Sequence, residues 1–257
     1  MPSQVRHQVD GGQPYPVVRL VGALDASTAP SVRAALLDVL AGQPEAVVID
    51  ARDLTVGEPP AVGVLGEIAR QAAEWPGCRL ALCIAGDDLA WRNTGLMRCP
   101  SPADALASLG RPAPDRFLSI ALEPVVGAAR RSRELVTEAC ARWELPALAG
   151  PACIVVTEMV NNVVAHARTP MAVLLGRHGD AMAVAVRDRS THVPRFSGSP
   201  VPVTSHGGRG LLLIDAVARR WGSLALADGK VVWAVLDGDD EEAAELRGTG
   251  VTGHARG

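Results

Sequence analysis

The sequence predicts an α/β protein of two domains, each a β-sheet covered by helices. Three observations predict it. The chain is 257 residues long, beyond one ordinary small domain and comfortable for two of roughly 100–150 residues each. Short β-branched runs alternate with segments that are apolar at helical spacing. One stretch, Gly110-Arg111-Pro112-Ala113-Pro114-Asp115, interrupts both patterns, because two prolines and a glycine so close together continue neither neighbour.

Composition narrows the classes further. Hydrophobic residues make up 48% and charged residues 21%, which excludes general disorder. Aromatics are only 3%, so the cores are expected to be aliphatic. The net charge is −3 and Lys230 is the sole lysine, a balance that argues against a dedicated nucleic-acid binder. The short basic run Arg130-Arg131-Ser132-Arg133 is read as a solvated helix face. Five cysteines without a CxxC pair are expected as structural thiols of a reducing compartment. The N-terminus lacks the apolar core of a signal peptide. No uninterrupted apolar run approaches the ~18 residues of a membrane helix. A cytoplasmic protein with no membrane partner is the expectation.

In order along the chain, Val17–Val21 reads as a strand. Asp25 to Pro30 supplies N-cap chemistry for a helix with Val32, Ala35, Leu36, Val39 and Leu40 inward and Gly42 at C′. Ala46–Asp50 is a buried strand ending in a carboxylate. Pro59-Pro60 opens a helix with Val64, Leu65, Ile68 and Ala72 on its inner face. Arg79–Ile84 is a third strand, and a last helix runs from Ser101-Pro102 to Leu109. After the linker, Phe117–Ala121 is a strand and a long helix spans Glu123 to Trp143. A second helix covers Pro151 to Ala167. Four β-rich segments follow at Met171–Gly176, Met182–Asp188, Gly222–Ala227 and Val231–Leu236, with a helix at Arg209–Arg220 between the second and third. Lys230 is placed in an Asp228-Gly229-Lys230 hairpin turn. The domains are thus expected at 1–109 and 116–238, joined by a linker at 110–115, with a disordered tail at 239–257.

Chemistry concentrates in the second half. Glu158, Asn162 and His166 are four residues apart, so each lies ~40° around from the last on one helix face. That polar stripe sits in a helix otherwise apolar, and burying such groups without partners costs several kcal/mol each. It therefore faces solvent or lines a polar cavity, and spacing alone leaves both open. Asp188 places a hydrogen-bond acceptor where a strand opens into a long loop, a feature that ordinary turns share. Gly207-Gly208-Arg209-Gly210 leads into Leu211-Leu212-Leu213-Ile214, bringing glycine-rich backbone to a helix N-terminus, where a phosphate is favoured. No Walker A loop is present. The connection from Asp188 to Gly207 exceeds the usual length and suggests a binding segment.

These residues resemble a known family. From about Asp115 to Gly238 the chain is similar to the histidine-kinase-like (GHKL, Bergerat-fold) ATPases, in particular their anti-sigma-factor serine kinase branch. The matches run in order through Cys140–Pro146, Glu158–Asn162, His166-Ala167, Val186–Asp188, Gly208–Ala216, Arg220–Gly222 and Asp228–Trp233. The resemblance implies a Bergerat-fold α/β sandwich that binds ATP and Mg²⁺. It implies that Asn162 holds the metal and that Glu158 is the catalytic general base for an attacking serine hydroxyl. Asp188 would accept from the adenine amino group. Gly208 and Gly210 would let backbone approach the phosphates, with Arg209 a charge partner and His166 beside the site. Asn161 has the wrong spacing for the metal ligand. Ser190 stands where the wider family carries glycine.

Residues from about Val17 to Gly110 resemble a STAS domain, the fold of anti-sigma factor antagonists, through Gly22–Pro30, Val47–Asp50, Leu54-Thr55 and Gly63–Leu65. Such domains carry a phosphorylatable serine at the start of the second helix, where this chain has Glu58-Pro59-Pro60-Ala61. Proline has no hydroxyl, so the usual acceptor is absent. Glu58 reads as an N-terminal helix carboxylate rather than a mimic of the phosphorylated state, and Thr55 as a buried strand-end residue rather than a substitute acceptor.

The combined expectation is an ATP-binding serine kinase that phosphorylates a separate STAS-type anti-sigma antagonist, sequesters a sigma factor, or both. Its own STAS-like half would be non-phosphorylatable and would act in cis. A homodimer is a possible assembly, and no direct nucleic-acid contact is expected. The alternative is a catalytically inactive ATP-sensing or scaffold module. A histidine-kinase catalytic domain is disfavoured, because no helix pair carrying a phosphoacceptor histidine precedes the ATPase-like half. Nothing resembles a nucleophile elbow, a zinc constellation or a dinucleotide fingerprint.

Overall fold

A computed structural model describes residues 4–74, 78–86, 89–113, 115–191 and 209–238. Contacts divide the chain into two compact units, the main boundary falling between Asp115 and Arg116.

The first unit holds a five-stranded sheet of β1 (Arg6–Asp10), β2 (Val17–Leu24), β3 (Ala46–Val56), β4 (Arg79–Cys83) and β5 (Met97–Cys99), in that spatial order. β1 runs antiparallel to β2, and the remaining neighbours are parallel. Parallel neighbours need crossovers. Helix α1 (Ala29–Leu40) supplies one between β2 and β3, and α2 (Gly63–Glu74) another between β3 and β4. The first five residues of β3 are all buried, the mark of a strand covered on both faces. Ala46 and Val48 pack with Ala105 and Leu109 of α3 (Pro102–Leu109), while the alternating Val47 and Ile49 turn the other way. The α3 cap matches its sequence, since Ser101 Oγ accepts from Asp104 N at 3.2 Å.

A second five-stranded sheet is made of β6 (Phe117–Leu122), β7 (Met171–His178), β8 (Ala181–Asp188), β9 (Arg220–Leu226) and β10 (Gly229–Leu236), ordered β6-β7-β8-β10-β9. Its helices are α4 (Ala128–Trp143), α5 (Ala149–Asn162) and α6 (Arg209–Val217). Val173 and Leu175 of β7, Val184 and Val186 of β8, and Val232 and Ala234 of β10 share one core with Val136, Trp143, Val156, Met159 and Ile214 of the helices. Alternate residues of each strand thus line the helix-covered face. The close approach of β9 to β10 rests on Gly222, where a Cβ would lie 2.8 Å from Trp233 Cζ2.

Several expectations are corrected. β1 and β5 were not anticipated: every residue of β1 is exposed, and β5 is three residues long. β3 continues past Asp50 to Val56. Buried Asp50 is bonded to Arg52 at 2.8 Å. Burial pushes its carboxyl up, but the guanidinium wins and holds it below the ordinary value. Gly42 follows the α1 cap, yet the left-handed residue there is Gln43, at φ 54°. Pro59-Pro60 opens a 3₁₀ turn (Pro59–Val62) ahead of α2. α4 starts at Ala128, not Glu123, because Gly127 interrupts at φ 103°.

The helix expected over Pro151–Ala167 starts earlier, at Ala149, and gives way after Asn162 to a π turn (Val163–Ala167), in which Arg168 N donates to Val163 O at 2.7 Å. By length and composition alone Pro146–Ala167 is long and apolar enough to cross a membrane, although Thr157, Glu158, Asn161 and Asn162 interrupt it. Its Ala152, Val155, Val156, Met159 and Val160 are instead buried in the core with the strands. α6 ends at Val217, so that Arg220 opens β9. Lys230 is not in the turn but on β10, and is buried. All five cysteines are free thiols. Burial pushes Cys78 and Cys83 up to about 12 and Cys140 to about 11, which keeps them protonated. The expected tail at 239–257 lies outside the described residues.

Candidate functional site

α5 buries Val155, Val156, Met159, Val160 and, just past its end, Val163. That apolar stripe leaves Glu158 and Asn162, one turn apart, on another face where both are half-buried. The first turn of α6 lies against them. A Cβ built on Gly210 would sit 2.7 Å from Glu158 Oε2 and 3.6 Å from Asn162 Nδ2. Any residue but glycine would push into the carboxylate, so the bare backbone of a helix N-terminus is brought onto the Glu158–Asn162 pair. The first N–H groups of a helix have no intrahelical acceptor and favour negative charge. Glu158, Asn162 and Gly210, all selected from sequence, are therefore brought together.

The other selected residues are placed as follows. Asp188 closes β8 and is 2% exposed. It follows Val186 by two residues, so it faces the helix-covered side of the sheet. Just beyond it, Arg189 N donates to Thr169 Oγ1 at 3.1 Å. His166 is exposed, on the π turn that follows α5. Asn161 is exposed. Arg209 contributes backbone to the start of α6, and Gly208 lies outside the described residues. Among the described residues no group of three or more His, Cys, Asp or Glu could form a metal cage. A magnesium ion held by one or two protein oxygens, waters and phosphate oxygens needs no such cage, and Asn162 and Glu158 both carry side-chain oxygens of that kind.

Lys230 is a residue that sequence reasoning missed. It is buried at 7% exposure, and its Nζ donates to the Ser190 carbonyl at 3.3 Å. Its one sequence signal was being the sole lysine. The Asp228-Gly229 turn signal beside it masked its place on the strand.

In the first unit, Glu58 does not cap its own helical turn. Its Oε2 accepts from Ala26 N at 3.3 Å, while Gly57 N and Glu58 N donate to Leu24 O. Asp25 Oδ1 accepts from Ser27 N and Thr28 N, so two neighbouring turns are tied by local bonds. Thr55 is exposed, contrary to expectation, and its Oγ1 donates to Gly22 O at 3.1 Å.

Residues 123–236 match the histidine kinase-like ATPase domain family, and residues 7–87 match the family described as Mlab, STAS domain. Among solved structures, the chain is similar to the RsbU and RsbW domains of a Mycobacterium tuberculosis protein at 21% identity and TM-score 0.37, covering 49% of this chain and 33% of that one. The chain thus spans about a third of that relative's length. An anti-sigma factor antagonist from Mycobacterium paratuberculosis is similar at 22% identity and TM-score 0.34, covering 40% of this chain and 92% of that one. The histidine kinase domain of a blue-light activated kinase from Erythrobacter litoralis is similar at 15% identity and TM-score 0.29, covering 84% and 96%. No curated protein matches.

Proposed function

From a STAS-like domain joined to a histidine-kinase-like ATPase domain, we propose an ATP-binding anti-sigma regulator that acts as a protein-serine kinase on a STAS-type antagonist, sequesters a sigma factor, or both. The observation that carries this reading is the seating of Gly210 on Glu158 and Asn162. It brings a carboxylate, an amide and the phosphate-favouring end of a helix within one small space, which supports the roles given below.

Each residue would have a defined task. Asn162 would hold Mg²⁺, which when bound neutralises phosphate charge. Glu158 would take the proton of the substrate serine as its oxygen bonds to the γ-phosphorus and the bond to the leaving ADP breaks. Asp188 would accept from the adenine amino group. Gly208 and Gly210 would admit the phosphates close to backbone, Arg209 would face their charge, and His166 would stand at the exposed rim. The protein would act in the cytoplasm, as a monomer or homodimer, without touching nucleic acid.

The first domain would serve in cis as a partner module. Glu58-Pro59-Pro60 offers no hydroxyl where STAS-type antagonists are phosphorylated, and tethering would give an effective concentration on the order of millimolar for a short flexible linker. Glu158→Ala tests the kinase assignment: it should abolish phosphate transfer to an antagonist and leave ATP affinity within about twofold. A wild-type protein that binds Mg-ATP but phosphorylates no STAS serine would instead be the ATP-sensing scaffold.

A further inference from the structure

Lys230 is buried, and a buried ammonium is costly unless its donors are used. It precedes Val232 by two residues on β10, as Asp188 follows Val186 by two on β8. Val186 and Val232 belong to one helix-covered core, so strand alternation places Lys230 and Asp188 on that same face. β8 and β10 are neighbours in the sheet. Lys230 Nζ holds the carbonyl of Ser190, two residues beyond Asp188. The intervening Arg189 N is held by Thr169 Oγ1 from the segment leading into β7. The backbone leaving Asp188 is therefore fixed at two consecutive residues by two different parts of the chain.

We propose that Lys230 is a positioning residue for base recognition: by anchoring Ser190 it holds the Asp188 carboxylate where it accepts from the exocyclic amino group of adenine. This rests on the nucleotide reading above. A short side chain at 230 would not span to Ser190, and an apolar one would not donate. The strand exit would then relax, and the carboxylate would lose its fixed direction without being removed.

The test uses the full chain, Mg²⁺ and two ligands, ATP and the triphosphate of purine riboside, which lacks only the 6-amino group. Calorimetry on the wild type should show ATP favoured by about ten- to a hundredfold, the range for a hydrogen bond to a charged group. Lys230→Met should bind the two ligands alike, with its affinity for the amino-free analogue unchanged. Lys230→Arg should restore the preference. Melting curves check that each variant folds, and Lys230→Gln, whose shorter side chain does not span to Ser190, replaces Met if that variant does not. A Lys230→Met or Lys230→Gln protein that retains the full preference, or that weakens both ligands equally, overturns the positioning role. A wild type without preference overturns it too while leaving ATP binding intact. A wild type that binds neither ligand removes the nucleotide reading and this role with it.

Discussion

Glu58 and Glu158 occupy comparable places, each beside the start of a helix, and the two halves of the chain use them in opposite ways. Glu58 is exposed and followed by Pro59 and Pro60, and its carboxylate accepts from Ala26 N of the adjoining turn. Its hydrogen bond closes a local structure. Glu158 is half-buried, paired along α5 with Asn162, and overlain by a glycine where any side chain would collide. Its surroundings hold a helix N-terminus against a carboxylate and an amide. The residue type is the same, and the difference lies in what faces the carboxylate: the backbone of a neighbouring turn in one half, the start of a helix in the other.

The largest expected effect tests the packing that frames the second half. Gly222→Ala forces a methyl to within 2.8 Å of the Trp233 ring, and a ring packed on β10 has little room to yield. Denaturant unfolding should show a loss of about 1–3 kcal/mol, the range for overpacking. Gly210→Ala sharpens the contrast, because the atom met at 2.7 Å is the far end of the flexible Glu158 side chain. That carboxylate can swing aside, and alanine suits a helix better than glycine. Stability should hold or rise, while affinity for Mg-ATP falls about tenfold, a loss of about 1.4 kcal/mol. Equal damage to both by Gly210→Ala would mean the glycine serves packing alone.

Acidity offers a third lever. Burial, with Arg116 and Arg220 nearby, pushes His178 down from 6.5 to about 4. The unfolded chain therefore takes up a proton below pH 6.5 that the folded chain refuses until about pH 4. Stability contributed by this group is present above pH 6.5 and declines as pH falls toward 4. His178→Gln should flatten the drop in unfolding midpoint between pH 7 and pH 5. The smallest effect belongs to the first half. Glu58→Ala removes one exposed hydrogen bond and should change stability by no more than about 0.5 kcal/mol. Incubating the wild type with Mg-ATP should place no phosphate within residues 50–65 by peptide mapping, and stoichiometric phosphate there would break the contrast between the halves.

Much of this was legible from the residues. Strands buried on both faces, such as Ala46–Asp50, announce themselves as continuous apolar runs, and α3 carries both its stops in Ser101 and Gly110. Glu158 and Asn162 were found by helical spacing. What stayed hidden depends on partners distant in sequence. β1 has no buried residue and exists through its pairing with β2. The π turn that carries His166 leaves no mark in the spacing of Val163–Ala167. Lys230 reads as turn chemistry until β10 is seen beside β8. The contact of Gly210 with Glu158 joins residues 52 apart, and no local pattern encodes it.

The central claim is that α5 and the start of α6 form a magnesium-nucleotide site. Titrating ATP into wild-type protein and into Asn162→Ala, each with Mg²⁺ and with a chelator, tests it most directly. Binding that requires Mg²⁺ in the wild type and is lost in Asn162→Ala, with both proteins melting alike, is the predicted result. No binding by the wild type, or binding that is the same with and without Asn162 and the metal, would contradict it.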